Sequence, residues 1–284
     1  MELSPLTFDE LRRVIHRLCG LVIPEDKAYL IQHRLEPVAQ ANQFRSFEEL
    51  AQALRGPSGA NLYDPIVEAI TTSETSFLRD GHPFETFRRH FLPRLGELAR
   101  LRQPDSRGVK VRIWSAGTST GQEPYSLALL LYDFAEANRA RGIGLADFAI
   151  LATDISAKVL AVAQAAEYIQ RDVTRGLMQF EIDRYFEKRG DVYVVRDVIR
   201  RMVEFRRVNL MQPFTGLGMF DAIFCRNVLI YFDDAARRRV CEQFHAMLHP
   251  GGWLVLGTAE NLYGVGVRFE SVRFGDTLVF RKAG

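Results

Sequence analysis

Residues 111–128 read VRIWSAGTSTGQEPYSLA. An apolar run suited to a buried strand passes into a short turn of small residues. A helix follows, and Pro124 marks its start, because proline is favoured in a first helical turn, where its missing N–H costs nothing. Gly117 and Gly121 punctuate the turn, with Ala116, Ser119 and Thr120 around them. Such a turn lets backbone approach a ligand closely and directs the N–H groups of the helix start toward it. Strand, glycine turn and helix in this order constrain the chain to a doubly wound α/β domain, which binds ligands at the carboxyl ends of its strands.

The turn narrows the ligand. A P-loop ends in Gly-Lys-Ser/Thr, whereas this one ends Gly121-Gln122-Glu123 and has no lysine for a β- or γ-phosphate. A dinucleotide pyrophosphate needs an uncrowded helix N-terminus, and Glu123 puts a carboxylate there. A ligand with an adenosine end, no phosphate and positive charge fits better. S-adenosylmethionine (SAM) meets these conditions through its sulfonium and amino groups.

With 284 residues, 47% of them apolar and 25% charged, the chain has the composition of a globular protein of one large or two modest domains. No segment approaches the roughly 20 apolar residues of a membrane span. The first residues, Met-Glu-Leu-Ser-Pro-Leu-Thr, lack the basic and apolar regions of a signal peptide. Cys19, Cys225 and Cys241 are too few and scattered for a disulfide framework or a metal site, which suggests a reducing cytosol. Six histidines without an HExxH pair argue against metal hydrolysis. The net charge of +2 is neutral on nucleic acid, and neither a nucleic-acid partner nor membrane insertion is expected.

Residues 1–75 read as all-helical. Thr7-Phe8-Asp9-Glu10 matches a capping box, and Leu11, Val14, Ile15 and Leu18 form one apolar face before Gly20. A second helix starts near Glu25, with Pro37 leaving its end open. Ser46-Phe47-Glu48-Glu49 is another capping box, Gly56-Pro57 a break, and a further helix covers about 63–71. Residues 76–108 form a linker with a helix over 83–100. From 109 onward, apolar runs alternate with helical stretches, which predicts a mostly parallel sheet. Its strands fall at 109–114, 148–153, 203–208, 221–225 and 253–258, and an antiparallel hairpin at 267–272 and 277–282 closes one edge. A small β insertion is expected at about 186–203.

Asp154 ends the second strand, where a carboxylate can accept both ribose hydroxyls of a nucleoside. Arg226 and Asn227 stand where the strand 221–225 runs out. Tyr231, four residues on, can face the same crevice. Cys225 reads as a small strand filler with no base nearby in sequence. In the polar segment 71–80, Arg79 can clamp an anion bidentately.

These residues together resemble the chemotaxis receptor methyltransferases, the CheR family of SAM-dependent protein-glutamate O-methyltransferases. The resemblance rests on motifs at 71–80, 114–126, 152–155 and 220–232 in the family's order, supported by Leu248-His249-Pro250-Gly251-Gly252 and Gly257-Thr258-Ala259-Glu260-Asn261. It implies a Rossmann-like SAM-methyltransferase domain with a small β subdomain, preceded by an all-helical N-terminal domain. Cofactor contacts are then expected at Ser73, Thr75, Arg79, Ala116, Gly117, Gly121, Gln122 or Glu123, Asp154, Asn209, Leu210, Arg226 and Asn227. Arg79 and Tyr231 match the positions beside the transferred methyl, and S-adenosylhomocysteine (SAH) is the expected product. Where the family often has asparagine this chain has Ser73, and Gln122 replaces a common glutamate.

The implied substrate is the cytoplasmic helical bundle of methyl-accepting chemoreceptors. Some members grip a receptor's C-terminal peptide through a glycine-containing insertion in the β subdomain. Here residues 187–194 carry a single Gly190 and run almost directly into a strand, so recognition without the tethering peptide is expected. Arg12, Arg13, Arg17, Lys27 and Arg34 are the basic residues available to meet an acidic bundle. Two other readings stay open: a SAM methyltransferase with another substrate, and a non-catalytic SAM-binding docking module. The latter is expected to lack Arg79 or Tyr231, and both are present.

Overall fold

The structure, a computed structural model, describes residues 1–284 apart from the side chains of Ser58 and Thr215. Four helices open the chain: α1 (Pro5–Cys19), α2 (Ala28–Ala41), α3 (Phe47–Arg55) and α4 (Tyr63–Ile70). Helix α1 begins earlier than the motif at Thr7 predicts. Ser4 is the N-cap and accepts from the Thr7 N–H at 3.3 Å, while the Thr7 hydroxyl donates to Glu48 on α3 at 2.8 Å. Pro5 at the first helical position explains the shift, since its fixed φ suits that place. Gly20 ends α1 in the left-handed conformation, as expected of a C-cap glycine. Ser46 caps α3, as its motif indicates. The proline at position 37 is accommodated inside α2. Leu11, Ile15, Ile31, Leu35, Phe47, Leu50 and Ile66 meet in a core of this helical part.

A nearly continuous helical stretch follows: α5 (His82–Thr86), a π-helical turn (Phe87–Phe91) and α6 (Leu92–Leu101). Its phenylalanines 84, 87 and 91 are buried against the large sheet, and the Phe91 ring stacks on Trp253 at 4.1 Å. The remaining elements in chain order are β1 (Val111–Ala116), α7 (Gln122–Asn138), β2 (Phe148–Asp154), α8 (Ala157–Ala165), β3 (Glu167–Ile169), α9 (Gln170–Thr174), α10 (Gln179–Tyr185), β4 (Phe186–Arg189), β5 (Val192–Val195), α11 (Asp197–Arg200), β6 (Val203–Arg207), β7 (Phe220–Cys225), α12 (Asp234–Met247), β8 (Leu248–Leu256), β9 (Phe269–Phe274) and β10 (Thr277–Lys282).

Seven strands form one sheet in the order β6-β2-β1-β7-β8-β10-β9. The first five are parallel, and the β9–β10 hairpin closes the edge antiparallel to β8, as expected. Alternate residues of each strand serve opposite faces. Ile113, Ile150 and Phe224 pack with α7 and the 82–101 stretch, whereas Trp114, Leu151 and Ile223 pack with Phe244 of α12. The chain runs from β1 outward through β2 to β6, then returns to β7 on the other side of β1. The crevice between β1 and β7 is therefore the switch point where open α/β sheets bind ligands.

The small sheet differs from expectation. Its order is β3-β5-β4, so its third strand comes from Glu167–Ile169, while Val203 belongs to the large sheet. Three residues of strand flanked by helices leave no periodic signal to read. Gly190 and Asp191 alone join β4 to β5. This subdomain docks on the 71–80 segment: Phe77 meets the Tyr168 and Phe186 rings edge-on at 5.0 and 5.4 Å. Gly176, at φ +142°, lies so close to Phe77 that a Cβ there would come within 2.0 Å of its carbonyl oxygen.

Candidate active-site cleft

Helix α7 begins at Gln122, two residues before the proline that suggested its start, with Gly121 as its N-cap. Gly117, Ser119 and Gly121 all have positive φ, at 76°, 51° and 95°, so the turn folds back sharply between strand and helix. A Cβ on Gly117 would meet the Val228 side chain at 2.3 Å, and one on Gly121 would lie 2.9 Å from Ala163 Cβ. Both glycines are thus required by close packing as well as by conformation.

The turn's N–H groups do not all face outward as expected. Gly117 and Thr118 both donate to the Thr153 carbonyl, at 2.8 and 2.9 Å, and Ser119 N donates to Asp154 Oδ2 at 2.8 Å. The first half of the turn is pinned to the end of β2 and builds a fixed wall, which suits a ligand that brings no phosphate to the helix.

A cleft opens over this turn at the carboxyl ends of β1, β2 and β7. From the expected set its wall takes Thr75, Arg79, Gly117, Glu123, Asp154, Asn209, Leu210, Arg226, Asn227 and Tyr231. Ala116, Gly121 and Gln122 stand behind the wall, and the Gln122 amide oxygen accepts from the Thr120 hydroxyl at 2.8 Å. Glu123, the other member of that pair, faces the cleft. Ser73 is also off the wall and gives its carbonyl to the Ser119 hydroxyl at 2.8 Å.

Sequence reasoning missed the share of the helical part in this cleft. Cys19 and Leu21 line it, from the end of α1. Leu21 forms a β-bridge with Phe232, Val22 N donates to the Tyr231 carbonyl at 2.9 Å, and Asn209 Nδ2 donates to the Leu18 carbonyl at 2.7 Å. Gly20 was the available signal, since it releases the chain from α1 toward this contact. Arg34 also acts differently from expectation. It donates to the Ile70 and Thr71 carbonyls at 2.9 and 3.1 Å, so it caps α4 and fixes the entry to the 71–80 segment.

Charge in the cleft is organised by Arg226, whose side chain is 2% exposed. Its Nη1 donates to Glu123 Oε2 at 3.3 Å, and its Nη2 donates to Asp80 Oδ2 at 2.6 Å and to the Arg79 carbonyl at 3.0 Å. The guanidinium carbon stands 5.4 Å from the centre of the Phe84 ring. Leu78 and Asp80, the neighbours of Arg79, both have positive φ, at 48° and 67°, a conformation that costs non-glycine residues energy. The hydrogen bonds of Arg226 and that of Leu78 N to Ser126 Oγ, at 2.9 Å, hold them there. The Arg79 guanidinium hydrogen-bonds the Glu74 carbonyl at 3.0 Å and borders the cleft.

Burial pushes the Glu123 carboxyl up from its ordinary range, against the pull of Arg226 and the Ser115 hydroxyl. Burial likewise raises Asp154, opposed by the N–H groups of Ser156 and Ser119. Cys225 is fully buried and its thiol is driven well above its normal value, which suits the strand-filler reading.

The cleft accommodates SAM in its chemistry. Acceptors predominate on the side of Glu123 and Asp154. Two buried polar atoms, Arg226 Nε and Asn227 Oδ1, have no partner within the protein, and both residues line the wall.

Residues 73–276 match the family model described as CheR methyltransferase, SAM binding domain, and residues 6–71 match CheR methyltransferase, all-alpha domain. The chain is 36% identical over 282 residues to chemotaxis protein methyltransferase 1 of Pseudomonas aeruginosa, covering 99% of each. It is 34% identical over 282 residues to chemotaxis protein methyltransferase Cher2 of Pseudomonas putida, again covering 99% of each. It is 36% identical over 280 residues to chemotaxis protein methyltransferase 1 of Vibrio cholerae, covering 98% of each.

The Arg226 network generates a stability prediction. Arg226→Ala leaves Glu123 and Asp80 without their shared cation and is expected to cost about 3–5 kcal/mol, because a buried charge loses its partner. Adding Glu123→Gln should return part of that loss. Denaturant unfolding of the two single variants and the double variant measures the coupling, and strictly additive losses would contradict it.

The match of both family models along the chain, and of these relatives over nearly its whole length, places it plainly: the chain belongs to the CheR family of SAM-dependent chemotaxis protein methyltransferases.

Proposed function

We propose that this protein transfers the methyl group of SAM to glutamate side chains of chemoreceptors, giving glutamyl methyl esters. The reading is carried by one observation: Arg79 and Tyr231 border the same cleft as Asp154 and Glu123. Bound SAM supplies a methyl group on a sulfonium, and its transfer to a carboxylate oxygen leaves SAH and neutralises both charges. A glutamate is already ionised at neutral pH, its reference pKa being about 4.3, so no general base is needed. The residues' task is to align and to exclude water.

In this reading the fork of Arg79 orients the incoming carboxylate, and Tyr231 lines the crevice where transfer occurs. Asp154 accepts from the ribose hydroxyls, and its two backbone hydrogen bonds, from Ser119 and from Ser156 at 3.0 Å, hold it in place for that. Glu123, on the wall, is favoured over Gln122 for the cofactor contact, and Asn227, also on the wall, carries a buried side-chain oxygen without a protein partner.

A cytoplasmic place of action fits three buried thiols without disulfides and the lack of any helix long and apolar enough to cross a membrane among the described residues. Substrate contact is assigned to the receptor's helical bundle. The two-residue Gly190–Asp191 connection supports recognition that does not depend on a C-terminal tether. Arg13, Arg17 and Lys27 remain the better candidates for an acidic partner, because Arg12 is paired with Asp9 and Glu25 and Arg34 is engaged at α4.

Four outcomes are expected. Asp154→Ala should weaken SAH binding by roughly 1.5–3 kcal/mol through loss of a charge-assisted hydrogen-bond acceptor, and calorimetry giving unchanged affinity would sink that assignment. Arg79→Ala should lower kcat for receptor methylation by about 100-fold through lost alignment, with little recovery in Arg79→Lys, since a lysine has no planar fork. Tyr231→Phe should also lower kcat while leaving the thermal midpoint near wild type. Wild-type rates in both the Arg79→Ala and Tyr231→Phe variants, assayed as base-labile methyl label, would refute the mechanism. Finally, a cognate receptor lacking its last residues should be methylated as well as the intact one. Loss of methylation on truncation, or micromolar binding of the free terminal peptide, would overturn tether independence.

A further inference from the structure

Glu260 follows β8 in the loop Gly257-Thr258-Ala259-Glu260, behind the cleft wall and 9% exposed. Its carboxylate accepts from four backbone N–H groups. Oε2 takes Gly257 N at 2.6 Å and Asn227 N at 2.7 Å, and Oε1 takes Val228 N at 3.0 Å and Ile230 N at 3.1 Å. A carboxylate has about four lone-pair sites, so this one is saturated by peptide donors. It forms no ion pair among the described residues.

Three of the four donors belong to the segment that leaves β7 and carries Asn227 and Tyr231. Asn227 itself sits at φ +60°, left-handed for a non-glycine residue. Its side-chain oxygen is buried and without a partner, and the residue lines the cleft. The strand end comes close enough to grip this segment only because Gly257 has no side chain. A Cβ there would lie 2.8 Å from Asn227 Nδ2 and 2.9 Å from Asn227 N.

We propose that Glu260 is a positioning residue for methyl transfer. Its carboxylate gathers the N–H groups of Asn227, Val228 and Ile230, and so sets the left-handed turn that presents Asn227 to the cofactor and Tyr231 to the substrate. Glu260 itself is not part of the cleft wall, and its partners are backbone N–H groups. The inference rests on the roles given above to Asn227 and Tyr231. Charge and geometry are both needed. A glutamine in its place would turn an amide NH2 toward two backbone donors, leaving those N–H groups without an acceptor and forcing the segment to shift.

The test compares Glu260→Gln with wild type in three measurements: thermal unfolding without ligand, SAH affinity by calorimetry, and the KM for SAM and kcat for receptor methylation, all well below the unfolding midpoint. The expected result is a fall in SAH affinity of about 10-fold, the worth of about one hydrogen bond lost when Asn227 is displaced, with KM raised and kcat lowered in folded enzyme. Glu260→Asp keeps the charge with a shorter reach, and should lose less. A merely structural residue would lower the midpoint while leaving the folded enzyme's SAH affinity and kcat at wild-type values in both variants, and that result overturns the proposal. If Glu260→Gln does not fold, Glu260→Asp decides alone: reduced SAH affinity supports the positioning role, and wild-type affinity and turnover overturn it. Wild-type protein that fails to bind SAH would instead refute the functional reading beneath it, so the two failures are distinguishable.

Discussion

One buried guanidinium holds the site together. Arg226 is reached from three stretches far apart in sequence: Glu123 from the start of α7, Asp80 and the Arg79 carbonyl from the segment before α5, and its own position at the end of β7. Removing a charge from water is costly unless it is paired and hydrogen-bonded. The chain must therefore bring all three stretches together or leave Arg226 uncompensated. The same contacts keep the left-handed residues around Arg79 in place, so local backbone strain and buried charge support one arrangement. Such a network specifies geometry more than it adds net stability.

The cleft was legible where chemistry is local. The glycine turn, the acid at the end of β2 and the polar pair leaving β7 each declare themselves within a few residues, and the sheet order then brings them to one edge. What stayed hidden depends on long-range approach. The N–H groups of Gly117 and Thr118 look free in a one-dimensional reading, yet the neighbouring strand end captures both. Glu260 sits in a short polar loop, and three of its four donors lie 30 to 33 positions away. Cys19 ends a helix whose amphipathic pattern points only to its own core, and Leu21 lies just past its glycine cap.

Fold elements were readable to the extent that their periodicity was long. The parallel strands and the final hairpin repeat an apolar pattern over five or more residues, so their existence and order follow. The strand Glu167–Ile169 is three residues long, with Tyr168 alone buried, and only pairing with Val192–Val194 makes it a strand. Boundaries moved for similar reasons. Pro5 outranks Thr7 in starting α1, and the helix after the glycine turn begins at Gln122 because Gly121 can take the left-handed cap position.

The bridge between Leu21 and Phe232, with Val22 N on the Tyr231 carbonyl, bears on how such proteins can be recombined. The two family-model regions, 6–71 and 73–276, look like interchangeable cassettes when written as a line. In three dimensions the seam between them runs along the wall of the cleft. A hybrid joining the helical part of one relative to the catalytic part of another would replace Leu18, Cys19 and Leu21 while keeping their partners Asn209 and Phe232. The five residues 18–22 therefore form a joint that has to be inherited with the catalytic part, whatever the source of the other helical residues.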